Sequence, residues 1–231
     1  MGRTQRVDAD AIRRPRVCGP GPISTVRPDA RAVYRGRMND ESGGSVTPDQ
    51  AGRLFEERMQ DMVGRPVSDT GPTQAPDPVN QAMIRHWAAA FEDWNPVYID
   101  PEAAAQSRFG EIVAPPLMLQ TWTMATPQIS GIAERGGSPV EGGRAAVLAF
   151  LDEAGFTGTL ASNSEFEIVR YLRLGDVVSA TTVLESVSPE KQTRLGAGHF
   201  VTWVTTYTDA AGDVVGRQRF RILKFRREAP V

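Results

Sequence analysis

The amino-acid sequence predicts an α+β fold, and three observations predict it. The first half of the chain carries apolar residues at helical spacing. The second half alternates apolar and polar residues through strands joined by short turns. Between them lies an apolar stretch, residues 112–125, with almost no polar face, which requires something to wrap around it. At 231 residues and 40% hydrophobic side chains, the chain suits one core with a terminal arm. The expected boundaries are an unstructured arm over residues 1–45 and a folded domain over 46–231.

The arm comes first. Residues 1–37 hold nine arginines with interspersed proline and glycine and little apolar periodicity, too little to offset the entropy of ordering. A basic arm for an acidic partner and a natural start at Met38 are the alternatives. Thr47-Pro48-Asp49-Gln50 has the pattern of a helix start, with Leu54, Met59 and Met62 following and Gly64-Arg65-Pro66 ending it. Ser68–Asp77 reads as a loop. Asp77-Pro78 then opens a second helix with a buried stripe of Val79, Met83, Trp87, Ala90 and Phe91. Asp100-Pro101 starts a short third helix that Gly110 closes. The apolar segment 112–125 follows, its first turn at Pro115-Pro116. Strands are expected over 164–174, 177–187, 198–207 and 214–225, the last two joined by a turn at 209–213. Short connections make these an antiparallel meander with one wet face.

Composition narrows the function. A net charge of −2 argues against a nucleic-acid binder. The single cysteine, Cys18, has no internal partner for a disulfide, which fits a reducing cytoplasm. No apolar run reaches the length of a membrane span, and no secretory h-region opens the chain. His86, His199 and Cys18 lack metal-ligand spacing, so no metal is expected. His86 is expected in the core or an interface, and His199 at a surface or interface. Arg219, Arg221, Lys224, Arg226 and Arg227 form either a wet strand face or a row facing the phosphates of a ligand.

The stretch Glu92-Asp93-Trp94-Asn95-Pro96-Val97-Tyr98 joins the second helix to the third, with a carboxylate, a stiff Asn-Pro turn and a phenol. Together with Phe109-Gly110…Ile112-Val113 and the later RYLRLGD segment, it resembles the MaoC-like family of hot-dog-fold hydratases and dehydratases over residues 48–227. The resemblance implies a hot-dog fold, an antiparallel sheet wrapped around a central helix. In active members the turn reads Asp-x-Asn-Pro-x-His and precedes Ile-Val-His-Gly. Here Asp93, Asn95 and Pro96 match, Tyr98 occupies the place of the histidine, and Ala114-Pro115 replaces His-Gly. Both departures resemble the non-catalytic subunits of actinobacterial heteromeric hydratases, in particular those acting on steroid side-chain enoyl-CoA. Relatives often add a C-terminal OB-fold and zinc ribbon, which are not expected here.

The residues themselves agree with that implication. Hydration of a 2-enoyl thioester needs a base for water, a proton for the α-carbon and donors for the thioester oxygen. A phenol titrates near pH ~10 against ~6.5 for imidazole, a gap of about 5 kcal/mol. Pro115 and Pro116 have no N–H to offer an oxyanion. Asp93 is thus a vestigial candidate, or only a cap for the turn. Tyr98 stands at the base position, and Asn95, Val113, Ala114, Pro115, Leu117 and Trp122 are expected to line the substrate. The expectation is a heteromeric subunit that binds a coenzyme A thioester without a cofactor, beside a second MaoC-like chain holding the intact Asp and His. Two alternatives remain: a homodimeric acyl-thioester binding module, and a self-sufficient hydratase using Asp93.

Overall fold

A computed structural model describes residues 47–67, 71–126, 129–131 and 145–226. The arm expected over 1–45 lies outside them, as do Cys18 and Arg227. The first helix, α1 (Pro48–Gln60), begins as its sequence dictates. Thr47 and Gln50 form a reciprocal capping box, and Pro48 takes the first turn, where no N–H is needed. Its buried face is Ala51, Phe55 and Met59, spaced four residues apart.

The second helix, α2 (Gln81–Phe91), starts three residues later than Asp77-Pro78 suggests. Val79 is held in extended pairing, its N–H donating to Asp176 O and its carbonyl accepting from Gly175, both at 2.8 Å. The helix therefore begins at the next residue, where Asn80 caps Met83 N–H. That shift rotates the buried face to Ile84 and Ala88, with Trp87 half-buried. Met83, Ala90 and Phe91 are exposed, and so is His86, which is therefore not a core histidine of this chain. Within the expected loop, Thr73–Gln74 forms a two-residue strand, β1, on the sheet edge.

Two short helices follow, α3 (Pro96–Ile99) and α4 (Pro101–Gln106), each with proline in the first turn and a capping Asn95 or Asp100 before it. The apolar segment is not helical from residue 112. Ala114 N–H donates to Leu172 O at 2.8 Å and Val113 bridges to Arg173, so 112–115 stay extended. The helix is a 3₁₀ turn over Pro116–Thr123. It buries Met118, Leu119 and Trp122 and leaves Leu117 and Met124 exposed, so the expected all-round burial does not hold. The helix α5 (Ala146–Glu153) completes the helical cover.

The sheet has six strands: β1, β2 (Gly158–Ile168), β3 (Ser179–Val187), β4 (Lys191–Thr193), β5 (Gly196–Thr208) and β6 (Val214–Phe225). All pairs are antiparallel, in the order β1-β3-β5-β6-β2, with β4 paired to β5 beside that path. The expected meander holds for β3, β5 and β6. The strand β2 crosses over to the far side of β6, and it begins at Gly158 rather than Ser164, in polar residues without alternation.

Two apolar clusters fasten the helices to one face. One joins α2, the 3₁₀ helix and Tyr98 to Ala180, Tyr207 and Val215. The other joins α1 and α5 to Leu184, Val201 and Ile222. Gly216 permits the first contact. A Cβ there would lie 2.6 Å from Leu119 Cδ2 and 2.8 Å from Glu167 O, so only glycine lets the 3₁₀ helix settle onto β6.

Candidate active site

The elbow between α2 and α3 is built by its own backbone needs. α2 ends at Glu92 in the left-handed region (φ 54°), the only non-glycine with positive φ among the described residues. Asp93 N–H then returns to Ala88 O at 2.9 Å. The Asp93 carboxylate accepts from Asn95 N–H at 3.4 Å, and Asn95 Oδ1 accepts from Val97 N–H at 3.3 Å, capping α3. Each polar side chain of the turn thus closes a local ring with a backbone donor.

One turn on, Tyr98 is buried, its carbonyl accepting from Gln81 Nε2 at 2.9 Å. Burial is the main cause that raises the phenol above its ordinary pKa. The neighbouring Tyr171 and the negative charge of Asp93 push the same way, and a hydrogen bond with the Asn95 side chain opposes them. Tyr98 is therefore a protonated hydroxyl at neutral pH, able to donate a hydrogen bond and unable to act as a base for water.

The opposite wall is Val113, Ala114 and Pro115, all buried. Val113 N–H goes to Val97 O at 3.3 Å and Ala114 N–H to Leu172 O, and the next two residues are prolines. The first backbone N–H after Ala114 belongs to Leu117. An oxyanion has no backbone donor at the place where the active pattern Ile-Val-His-Gly begins its helix.

Trp122 is 4% exposed, and its Nε1–H has no hydrogen-bond partner among the described residues. Tyr98, Val113, Ala114 and Trp122 share one apolar cluster, whereas Leu117 points away at 53% exposed. An open cleft of about 620 Å³ lies nearby, lined by Gln81, Arg85, Ile99, Pro101, Glu111 and Leu174 among others. Asp93, Asn95 and Tyr98 are not among its lining residues.

Tyr171 was not singled out from sequence as a site residue. It packs on Phe109 with centroids 4.7 Å apart. Arg170 beside it holds Asp176 at 2.6 Å and Asp209 at 2.8 Å, clasping this loop to the β5–β6 turn. The signal was the close sequence of Arg170, Tyr171 and Asp176, read before as the end of a strand. The basic row on β6 also resolves. Arg217 pairs with Glu167 and Arg219 with Glu185. Lys224 is 2% exposed against Asp152 at 2.5 Å, so it faces no phosphate. His199 is likewise buried at 1% exposed, not at a surface.

The profile of the FAS1-like dehydratase domain region matches residues 63–218. The chain is 44% identical over 176 residues to a probable enoyl-CoA hydratase alpha subunit of Thermomonospora curvata, covering 76% of this chain and 53% of that one. It is 39% identical over 155 residues to the 3-oxo-4,17-pregnadiene-20-carboxyl-CoA hydratase alpha subunit of Mycobacterium tuberculosis, covering 67% and 47%. The chain thus spans about half the length of these curated relatives. Among solved structures, a chain of the ChsH1-ChsH2 complex from Mycobacterium tuberculosis superposes with a TM-score of 0.66 at 34% identity, over 76% of this chain and 98% of that one. The sheet order, the helices against one face and these likenesses agree: the chain has the hot-dog fold and belongs to the FAS1-like, MaoC-like dehydratase domain family.

Proposed function

We propose that the chain is a subunit of a heteromeric 2-enoyl-CoA hydratase that binds the acyl-CoA thioester while a second hot-dog chain supplies the catalytic Asp and His. The observation that carries this reading is Tyr98: a buried, protonated phenol where the family pattern has its base. The neighbouring backbone supports it, since the Ala114 N–H is already used and Pro115 and Pro116 have none. The names of the relatives, both alpha subunits of hydratases, point the same way.

In the reaction a base removes a proton from water, the hydroxyl adds to the β-carbon, and a proton reaches the α-carbon as charge passes through the thioester oxygen. Water and thioester balance without a redox partner, so the proposed complex needs no cofactor beyond its coenzyme A substrate. This chain contributes the wall of Val113, Ala114, Pro115 and Trp122, with Asn95 fixing the elbow. Asp93 remains a vestigial carboxylate held in its turn. A rigid, bulky acyl group such as a steroid side-chain thioester is the proposed substrate class, in keeping with the name of the Mycobacterium tuberculosis relative.

The free edge of the sheet supports the reading of a partner. Among the described residues the eleven-residue β2 pairs only with β6, and its residues Thr159 to Glu165 are exposed. An open edge of this length is satisfied by another strand.

The test is to purify the chain alone and with a co-expressed MaoC-like neighbour and to assay 2-enoyl-CoA hydration. Activity is expected only from the pair. Full activity from the isolated chain overturns the partner requirement, and a stable homodimer indifferent to the neighbour favours simple thioester binding.

A further inference from the structure

The loop of residues 169–178, between β2 and β3, meets three parts of the candidate site at once. Leu172 O accepts from Ala114 N–H at 2.8 Å and Arg173 bridges to Val113, so the wall of the site hangs from this loop. Tyr171 packs on Phe109 and stands close enough to Tyr98 to help raise its pKa. Gly175 and Asp176 hold Val79, the residue that delays the start of α2.

A guanidinium ties the two ends of the loop together. Arg170 Nη1 donates to Asp176 Oδ2 at 2.6 Å and to Tyr171 O at 3.2 Å, and Nη2 donates to Asp209 Oδ2 at 2.8 Å. Asp176 Oδ2 also accepts from Arg173 N–H at 2.8 Å, which closes the loop on itself. Asp209 is anchored from its other oxygen, where Oδ1 accepts from Ala211 and Asp213 N–H, both at 3.0 Å. The fork therefore joins a closed loop to the closed β5–β6 turn. Two separate nitrogens in one plane make that span possible, and the point charge of a lysine does not reproduce it.

An isolated exposed ion pair contributes little, because water and salt screen it. This trio differs in two respects. Its side chains are 35%, 21% and 17% exposed for Arg170, Asp176 and Asp209, so screening is partial. Its charges also share forked, charge-assisted hydrogen bonds, and the bond from Arg170 is the main cause that holds the Asp209 carboxyl below its ordinary pKa. What the trio orders is local: Leu172 O, and through it the backbone of Ala114.

We propose that Arg170 is a positioning residue for the acyl thioester: with Asp176 and Asp209 it fixes the 170–176 loop, which holds Val113, Ala114 and Pro115 opposite Tyr98 in the arrangement that binds the acyl group. This role rests on the acyl-thioester reading above, and Arg170 itself touches no reacting atom. Once the fork is cut, Leu172 O moves with its loop and Ala114 N–H loses a fixed acceptor. The thioester must then order the wall as it binds, which weakens affinity for substrate and transition state alike. Such a loss raises KM and leaves kcat in place.

The experiment compares Arg170→Gln and Asp209→Asn with a control, Arg217→Gln, which removes the same charge from an exposed pair with Glu167. Amide hydrogen exchange of the full chain is read at Ala114 against Val204 in the middle of β5. Ala114 is expected to exchange roughly tenfold faster in both clasp variants, the scale of one charge-assisted hydrogen bond, with Val204 unchanged and the control unmoved. In the co-expressed pair, KM for trans-2-decenoyl-CoA is expected to rise about tenfold with kcat within about twofold. An unchanged Ala114 rate, or one that rises only together with Val204, makes Arg170 a contributor to global stability alone and overturns the proposal. An unchanged KM, or a fall in kcat alone, overturns it as well. Should Arg170→Gln fail to fold, Asp209→Asn decides, since it keeps Oδ1 for the β5–β6 turn. A pair that hydrates no decenoyl-CoA defeats the thioester reading, and the exchange ratio then still decides whether the clasp holds the wall.

Discussion

Asp152→Ala is expected to be among the most damaging single substitutions on α5, although Asp152 lies outside the candidate site. Its carboxylate sits 2.5 Å from Lys224 Nζ, and Lys224 is 2% exposed in the middle of a packed face. Thr159 Oγ1, at 2.9 Å, is the other acceptor for that ammonium. Removing the carboxylate leaves a buried cation with one neutral acceptor, and breaking a buried pair this way costs about 3–5 kcal/mol. A domain of this size has a total stability of roughly 5–15 kcal/mol, so the loss is at least about a fifth of it. With a urea slope near 2 kcal/mol/M, the unfolding midpoint falls by on the order of 2 M. Urea titration followed by far-UV circular dichroism measures it. The companion Asp152→Leu with Lys224→Met removes both charges and is expected to recover most of the loss, since apolar replacements of a buried pair are often neutral or better. A midpoint shift below about 0.5 M for Asp152→Ala, or a double variant no better than the single, refutes the account of a desolvated pair.

Three further outcomes are expected. His199 donates from Nδ1 to Ser188 O, leaving Nε2 bare between Phe156 and Phe55, and burial lowers its pKa below 6.5 despite Glu190 and Glu56. The unfolded chain then binds more protons, so stability falls as pH drops through about 6.5 towards the folded value, and His199→Phe flattens that slope in melts between pH 7 and 5. Tyr98→Phe in the assembled complex is expected to leave hydration within a few-fold, whereas a loss of about 10²–10⁴ would make the phenol an acid or base after all. Gly216→Ala drives a methyl against Leu119 and Glu167 O, lowering stability by roughly 1–3 kcal/mol in a thermal melt, and an unchanged melting temperature contradicts the close approach.

Local chemistry made much of the fold legible. Thr47, Asp100 and Pro101 announce their helices because caps and first-turn prolines act within four residues. Strands β3, β5 and β6 were readable because their inward residues alternate. What escaped was set by distant partners. Val79 looks like the first turn of a helix until Asp176 and Gly175 claim its backbone. The stretch 158–163 reads as loop because its side chains are exposed, and only hydrogen bonds to β6 make it a strand. His199, whose strand start suggested a surface or interface, is buried beneath α1 by the same kind of distant packing. In the site, Tyr98 and the two prolines stand out from their residue types alone. The contact of Tyr171 with Phe109, and that of Tyr207 with Gln218, depend on how distant segments meet, which no local pattern encodes.

The elbow between α2 and α3 is held by backbone duties of its own. Asp93 accepts from Asn95 N–H, Asn95 caps α3, and Pro96 fills a position where an N–H would be idle. These three residues terminate one helix and begin the next whether or not a substrate is ever bound. Replacing any of them disturbs the path of the chain into Tyr98 and Val113. The side chain of residue 98 has no such backbone duty: its N–H and carbonyl are engaged by Asn95 and Gln81, while the ring packs in the cluster and its hydroxyl meets the Asn95 side chain. The side chain at residue 98 is therefore freer to vary at little cost to the backbone path than Asp93 and Asn95 are. In this chain Asp93, Asn95 and Pro96 set the path of the backbone between α2 and α3.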